Sequence, residues 1–251
     1  MLERQFAYPV TVIRTRTLAR ADLKRFQVLI LPEARSDTGY ARVLGKEGAE
    51  RIKRWVNAGG TLVLLGDAVS FAADPQFDLL ATRLEDAVKT EADEQQTDKE
   101  TDPDSTTVAG HHLENLDDWK TAIAPQSESP DPIAGVLLRA EVDRDHWLAA
   151  GLPDSLNVMA RGDDIYTPIK LDDGSNVARF SSADELLVSG YLWEENRKQL
   201  AFKPFAMVQP SQRGFVVALT QDPNFRAYLD GLNMIFLNAV FRAPAHASPV
   251  R

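Results

Sequence analysis

A helix, a glycine pair and a buried strand follow one another between residues 48 and 66, and this order constrains the fold most. Apolar residues recur at helical spacing from Gly48 to Ala58, and Gly59 and Gly60 then stop the helix. The run TLVLLG that follows is apolar throughout, as in a strand buried on both faces of a parallel sheet. The segment therefore predicts one helix–strand unit of an α/β fold.

Further apolar runs repeat this pattern along the chain. FQVLILPEA at 26–34 predicts a second buried strand, and the β-branched segment YPVTVIRT at 8–15 predicts a strand before it. The remaining predicted elements are strands at 133–143 and 187–193, a hairpin at 203–222 and a last helix over 225–241. Alternating strands and helices predict a doubly wound, mostly parallel sheet with right-handed crossovers.

One polar segment interrupts the alternation. Residues 85–131 contain few large apolar side chains, and seven acids between Glu91 and Asp104 oppose the single Lys99. That stretch carries a net charge of -6, out of -9 for the whole chain. With 251 residues and 44% hydrophobic content, the sequence predicts a single domain over residues 1–251. We expect residues 85–131 to form a loosely ordered acidic insertion on its surface.

Composition excludes several classes of function. An acidic protein without a basic stripe would repel nucleic-acid phosphates, so no nucleic-acid partner is expected. No run of about 18 apolar residues is present, so no membrane span is expected. The sequence contains no cysteine, which excludes disulfides, thiolate metal ligands and a cysteine nucleophile.

The turn after the TLVLLG strand stands where many α/β enzymes place a nucleophile. Here the turn reads Gly66-Asp67-Ala68, and Ser70 comes too late to take that position. The sequence therefore favours a tight connection in which Gly66 adopts special dihedral angles.

The segment TQDPNFR at 220–226 allows two interpretations. Asp222 or Asn224 could cap the following helix, with Pro223 near its first turn. The segment also follows the carboxyl end of a strand, where open α/β sheets bind ligands. The candidate ligand-binding residues are therefore Gly66, Asp67, Gln221, Asp222, Asn224 and Arg226.

Two further motifs could bind metal ions. His111 and Glu114 in HHLE, with His246 132 residues beyond Glu114, match the ligand order of carboxypeptidase-type zinc sites. Because the first two lie in the polar insertion and His246 near the end of the chain, unrelated surface histidines are favoured. The acids of RGDDIY (161–166) and LDDGSN (171–176) lack the spacing of a calcium loop, and the latter favours a turn.

Five blocks of the sequence, in order, resemble a known family. They are ADLKRFQVLILPEA, IKRWVNAGGTLVLLG, DHWLAAGLP, LVSGYL and RGFVVALTQDPNFRAYLDGLNMIFLNAVF. Together they look like the C-terminal domain of large bacterial zinc carboxypeptidases, which is similar in fold to class I glutamine amidotransferases. The resemblance implies a flavodoxin-like α/β sheet.

The resemblance also limits the expected function. The zinc ligands and catalytic glutamate of the family lie in a separate peptidase domain, which no segment here resembles. The amidotransferase nucleophile is replaced by Gly66 or Asp67, and its later His-Pro-Glu by the region around Gln221 and Asp222. The resemblance implies a non-catalytic accessory domain that binds or positions a ligand or partner, without a cofactor. The alternatives are a metal-dependent hydrolase using His111, Glu114 and His246, and a small-ligand sensor at the carboxyl ends of the strands.

Relatives carry a further strand and a long helix before YPVTVI, and MLERQF resembles the last turn of that helix. We therefore expect a fragment whose sheet lacks its first strand. Exposed strand edges favour pairing with a second copy or with an upstream peptidase domain. The parent proteins are exported, so the resemblance implies a periplasmic or secreted location.

Overall fold

The computed structural model describes residues 1–18, 20–34, 39–88, 115–116, 120, 127–227 and 230–247. Within these residues, one sheet contains eight strands. They are β1 (Val28–Leu31), β2 (Thr61–Leu65), β3 (Ile133–Val142), β4 (Ser155–Gly162), β5 (Ser175–Phe180), β6 (Leu187–Ser189), β7 (Pro204–Ser211) and β8 (Gly214–Leu219). The strand order is β1-β2-β8-β7-β5-β3-β4, and the short β6 also pairs with β3.

Helices flank this sheet. They are α1 (Leu2–Phe6), α2 (Thr15–Leu18), α3 (Gly39–Asn57), α4 (Ala68–Ala73), α5 (Ala183–Leu186), α6 (Glu194–Leu200), α7 (Asn233–Phe241) and α8 (Ala243–His246). The helix predicted at 48–58 is confirmed as the second part of α3, which contains a kink at Gly45. The last predicted helix starts at Asn233 rather than at 225, after two short 3-10 turns. None of the described helices is long and apolar enough to cross a membrane.

The doubly wound α/β fold is confirmed around β1, β2 and β8, which pair in parallel. All five residues of β2 are buried, because helices cover both faces of the sheet there. Leu62 and Leu64 pack in a core with Ile52 of α3, on one face. Val63 and Leu65 pack in a second core with Ile235 of α7, on the other face.

Within the part of the chain that the structure describes, these three strands alone pair in parallel, so the parallel part of the sheet is smaller than the sequence indicated. The predicted hairpin at 203–222 is confirmed as β7 and β8. Because only two residues separate these strands, they must pair antiparallel. The pairs β5–β7, β3–β5 and β3–β4 continue antiparallel to the other edge of the sheet. The sheet curls, since Arg161 near the end of β4 forms an ion pair with Glu33, which follows β1 at the opposite edge.

The strand predicted at 8–15 is wrong. Residues 8–14 have no regular secondary structure, and α2 begins at Thr15. The segment leads from α1, whose Leu2 packs against the core beside α7, to α2, whose Leu18 belongs to the core beside α3. The segment runs from one face of the sheet to the other without pairing with any described strand, and Val12 is 86% exposed. A β-branched composition favours a strand only where a neighbouring strand provides pairing.

The polar insertion at 85–131 is described at its two ends. The N–H of Ala87 donates to the carbonyl of Glu128 at 2.6 Å, so the outgoing and returning chains lie side by side. The α6 side chains of Gln199 and Asn196 donate to the carbonyls of Asp86 and Asp131, each at 2.8 Å. The ends of the insertion are therefore fixed to the folded domain. Most of the predicted insertion lies outside the described residues.

Candidate functional site

A polar cavity of about 290 Å³ lies where the carboxyl ends of β1, β2 and β8 meet the end of β4. The chain brings carboxylates to it from three directions: Glu33 after β1, Asp67 after β2, and Asp163 and Asp164 after β4. Gln221 and Asp222 reach it from the end of β8. This is the edge of a parallel sheet at which α/β proteins bind ligands.

The turn after β2 fixes Asp67 at this cavity. Gly66 has a φ of 56°, as predicted for a residue that needs special dihedral angles, and its N–H donates to the carbonyl of Leu219 in β8 at 2.9 Å. A side chain at Gly66 would place its Cβ 3.2 Å from the Glu33 side chain. Oδ1 of Asp67 accepts a hydrogen bond from the N–H of Ala34 at 2.7 Å. The carboxylate therefore stands where the sequence had suggested a nucleophile position.

Arg161 joins three of the segments that surround the cavity. Its guanidinium forms an ion pair with the carboxylate of Glu33, and both side chains are largely shielded from solvent, at 29% and 22% exposure. Its backbone N–H donates to Oε1 of Gln221 at 3.1 Å. The guanidinium also stacks on the ring of Phe225, with its carbon 4.8 Å from the ring centroid. Arg161 thus fixes Glu33 and the segment after β8 relative to β4.

Two carboxyl groups at the cavity have raised pKa values. Burial is the main cause at Asp67, and the nearby charges of Glu33 and Asp164 add to it, whereas the Ala34 hydrogen bond and Arg161 oppose it. Burial is also the main cause of the raised pKa of Asp164. Carboxyl groups with raised pKa values in a cavity are typical of functional sites.

Two buried tyrosines lie near these carboxyl groups. The hydroxyl of Tyr166 donates to Oδ2 of Asp164 at 3.1 Å, and burial, followed by the Asp164 charge, raises its pKa far above the usual value. The hydroxyl of Tyr40 donates to the carbonyl of Pro32 at 2.7 Å, and burial raises its pKa to about 12. Both phenols therefore act as hydrogen-bond donors at neutral pH.

Four of the predicted ligand-binding residues come together here: Gly66, Asp67, Gln221 and Asp222. Asn224 lines a neighbouring cavity, which shares Asp222 with the first. Oδ1 of Asp222 accepts from the N–H of Asn224 at 2.9 Å, which is a local turn contact. The predicted helix cap at Asp222 or Asn224 is wrong for α7, because that helix begins at Asn233. Arg226 is exposed and stacks on the outside of Phe225, 5.2 Å from the ring centroid.

The cavity residues that the sequence did not assign to a ligand site are Glu33, Arg161, Asp163 and Asp164, although the acids of RGDDIY at 161–166 were compared with a calcium loop, whose spacing they lack. Glu33 could have been found, because it follows the predicted strand at 26–34 and must lie at that strand's carboxyl end. Arg161 lies in the last part of β4 and the two aspartates follow it, and the sequence did not predict this strand. Their placement depends on the curl of the sheet, for which the sequence has no local signal.

The alternative metal site receives no support from the described residues. His111 and Glu114 lie outside them. His246 belongs to α8, and its ring stacks on Trp147 with centroids 5.0 Å apart. Trp147 in turn contacts Phe215 at the start of β8, away from the cavity. Among the residues that the structure describes, no three histidine or carboxylate side chains are grouped to hold a metal ion.

Neither a protein-family model nor a curated protein matches this sequence. Solved structures do match. The cytoplasmic protein STM3548 from Salmonella typhimurium is 12% identical, with a TM-score of 0.53, over 96% of this chain and 83% of that one. A ThuA-like protein from Parabacteroides merdae is 12% identical, with a TM-score of 0.52, over 92% of this chain and 75% of that one. A ThuA-like protein from Bacteroides uniformis is 12% identical, with a TM-score of 0.50, over 97% and 79%. Such low identities establish the fold alone, which is ThuA-like and of the class I glutamine amidotransferase-like type.

Proposed function

We propose that this chain is a non-catalytic, amidotransferase-like domain that binds a small polar ligand in the cavity at the carboxyl ends of β1, β2 and β8. The observation that carries the proposal is the turn after β2. It presents a fixed carboxylate, Asp67, to a cavity at the ligand-binding edge of the sheet.

A hydrolytic amidotransferase needs a nucleophile and an adjacent base that activates it. Among the described residues that line the cavity, Thr220 provides the one side-chain hydroxyl, and this hydroxyl donates to the carbonyl of Pro204 at 3.1 Å. That lining contains no histidine, serine or cysteine. This composition supports binding rather than acyl transfer as the task of the site.

The lining also indicates which ligand groups fit. Asp67 uses one carboxylate oxygen for Ala34, and Asp164 uses one for Tyr166, so each retains a second oxygen as an acceptor. The cation among the lining residues, Arg161, is already paired with Glu33. A site rich in acceptors favours a ligand that donates, through amine or hydroxyl groups.

A substitution at Ala134, which lines the cavity from the start of β3, tests this proposal. Purified protein is screened by thermal shift against amino acids, peptides, sugars and polyamines. A ligand at 100 times its Kd stabilises the folded state by about 2.7 kcal/mol. We expect at least one compound to stabilise the wild type and Ala134→Ser, and Ala134→Phe to abolish the shift by filling the cavity.

The matched control is Ala245→Phe, which adds the same side chain at an exposed position of α8, away from the cavity. This variant should keep the full shift. If no class of compound stabilises the wild type, or if Ala134→Phe responds as the wild type does, the proposed site is wrong.

The sequence resemblance to zinc carboxypeptidases supports a further part of the proposal, namely an accessory role beside a peptidase. Its test is genetic. A zinc peptidase domain encoded directly upstream of this reading frame would support the role, and an unrelated upstream frame would count against it.

A further inference from the structure

The amino-terminal part of the chain exposes an unusual row of apolar side chains. Within residues 4–14, which we call the amino-terminal surface, every second residue from 6 to 12 is a large apolar one and is partly or fully exposed. These are Phe6 (48%), Tyr8 (46%), Val10 (37%) and Val12 (86%). The ring of Tyr8 packs edge-on against Phe241 of α7, itself 44% exposed, which extends the apolar surface onto that helix. Contiguous exposed apolar surface is typical of interaction sites.

The charge of this region is opposite to that of the rest of the molecule. Residues 1–27 contain six cationic and two acidic side chains, a net charge of +4, so the other 224 residues carry -9 - 4 = -13. The six cations are Arg4, Arg14, Arg16, Arg20, Lys24 and Arg25. All six are exposed, and within the described chain none of them forms an ion pair. The whole-chain charge of -9 conceals this basic region.

The backbone of the same segment is available for pairing. Within the described part of the chain, the N–H groups of residues 10–13 have no hydrogen-bond partner. β1, whose Ile30 lines the same cavity as Val10, is the first strand in the strand order of the sheet. Extended peptides pair with exposed backbone of this kind, here that of residues 10–13, through main-chain hydrogen bonds. The alternate side chains of the peptide then provide the specificity.

An apolar cavity adjoins this segment. It has a volume of about 350 Å³, and its apolar lining includes Val10, Leu2 of α1, Ile30 of β1, Leu65 of β2 and Phe236 of α7. The charged side chains in its lining are Glu3, Arg4 and Asp222, so the cavity itself suits an apolar side chain and not a carboxylate. Leu65 is buried, whereas Val10 is exposed, so the cavity leads from the surface toward the core. Its size and lining suit an apolar side chain of an incoming segment, as at the centre of many interfaces.

We propose that the amino-terminal surface and its adjoining cavity form a docking site for an acidic segment of a partner protein. The segment pairs as a β-strand with residues 10–13, places one apolar side chain in the cavity and brings its carboxylates to the exposed Arg4, Arg14 and Arg16, which lie within or next to the amino-terminal surface. Charge complementarity selects this occupant. A second copy of the chain, docked symmetrically, would bring the two basic regions together and is therefore disfavoured.

Fluorescence anisotropy at low salt tests the proposal with a short labelled peptide that alternates glutamate and valine. The comparison peptides are an alternating lysine–valine peptide and an acidic peptide with N-methylated amides on its pairing edge. We expect saturable binding of the acidic peptide alone. The double variant Arg14→Glu/Arg16→Glu should weaken that binding by about tenfold or more, because two attractive charges become repulsive.

The control variant is Lys170→Glu/Lys198→Glu, which reverses two exposed charges elsewhere and should leave the affinity unchanged. Amide hydrogen exchange should show protection of residues 10–13 when the acidic peptide is bound.

Four outcomes would overturn the proposal. They are failure of the acidic peptide to bind, equal binding of its N-methylated form, tighter binding to duplex DNA or phosphatidylglycerol vesicles, and sedimentation as a dimer that Arg14→Glu/Arg16→Glu dissociates. None of them bears on the ligand cavity, whose variants are separate.

Discussion

The partly buried carboxylate of Asp67 lowers the stability of the folded state when it is ionised. Its folded-state pKa lies above the ordinary value of 3.8, chiefly because of burial. Between these two pKa values the folded state binds more protons than the unfolded state, so stability falls as the pH rises through this window. At neutral pH the ionised carboxylate is therefore destabilising. We predict that Asp67→Asn raises the melting temperature at pH 7, because asparagine keeps an oxygen for the Ala34 hydrogen bond without the charge.

Thermal unfolding across the pH range checks this prediction. The advantage of Asp67→Asn should shrink as the pH falls toward 3.8, since the wild-type carboxyl then becomes neutral as well. Asp172→Asn, at an exposed turn position, should change stability by no more than about 0.5 kcal/mol at any pH. An Asp67→Asn protein that is less stable than the wild type at pH 7 would show that the charge itself holds the turn.

At this scale the sequence indicated four of the twelve described residues that line the candidate cavity, namely Gly66, Asp67, Gln221 and Asp222. Gly66 and Asp67 were recognised because a glycine between a buried strand and a helix marks a tight turn, whose geometry is local. Arg161 and Asp164 were not, because they reach the cavity through the curl of the sheet, which depends on contacts between residues far apart in sequence. The cations of the amino-terminal segment, which form no ion pair with the described residues, were missed because the net charge was averaged over the chain.

Among the elements, the start of β8 packs closely against the backbone at the end of α3. A Cβ built on Gly214 would lie 2.1 Å from the carbonyl oxygen of Gly60 and 2.2 Å from that of Val56. Since both oxygens belong to the backbone, they cannot rotate away as a flexible side chain could. We predict that Gly214→Ala destabilises the fold by about 1–3 kcal/mol, measured by chemical denaturation, through overpacking.

A second glycine provides the control for that prediction. Gly231 lies in a 3-10 turn, and a Cβ there would have no atom within 4 Å. Gly231→Ala should therefore change the free energy of unfolding by no more than about 0.5 kcal/mol. Equal effects of the two substitutions would mean that the β8–α3 contact relaxes and does not constrain the sheet.

The ion pair between Arg161 and Glu33 links the two edge regions of the sheet. Both side chains are mostly shielded from solvent, and Arg161→Met would leave Glu33 among other carboxylates. We predict that a double-mutant cycle with Arg161→Met and Glu33→Gln gives a favourable coupling of about 0.5–3 kcal/mol. The exposed pair of Arg144 and Asp154 is the control and should give about 1 kcal/mol or less. Equal couplings would contradict a structural role for the buried pair.

The elements that the sequence predicted best are those with a strong local pattern. The continuous apolar run of β2, the helix before it and the hairpin of β7 and β8 each depend on residues close in sequence. The strand predicted at 8–15 failed because a strand also needs a partner, which no local pattern specifies. The extent of antiparallel pairing was missed for the same reason, since β4 and β5 depend on neighbours from other parts of the chain.

At the scale of the whole molecule, the curled sheet explains where the candidate site lies. β1 and β4 stand at opposite ends of the strand order, yet the segments that follow them are joined by the Arg161–Glu33 pair. The curl of the sheet therefore places the segments that follow β1, β2 and β8 and the end of β4 around the polar cavity. Val10 of the amino-terminal surface lines the apolar cavity, and Asp222 lines both the apolar cavity and the polar one. A partner docked there would therefore contact the segment after β8 that also lines the ligand site.

The described ends of the 85–131 insertion are held by hydrogen bonds close to the folded domain, so a shorter connection between residues 88 and 127 should preserve the fold. The Ala87–Glu128 hydrogen bond joins the two ends to each other, and the contacts from α6 join both ends to the domain. We predict that replacing residues 89–126 with a four-residue Gly/Ser loop leaves the melting temperature unchanged or raises it. The shorter loop lowers the entropic free-energy cost of loop closure by up to about 2 kcal/mol, because each halving of the loop length lowers this cost by roughly 0.6 kcal/mol. Thermal unfolding measures the change, and a loss of cooperative unfolding would show that the excised residues belong to the folded core.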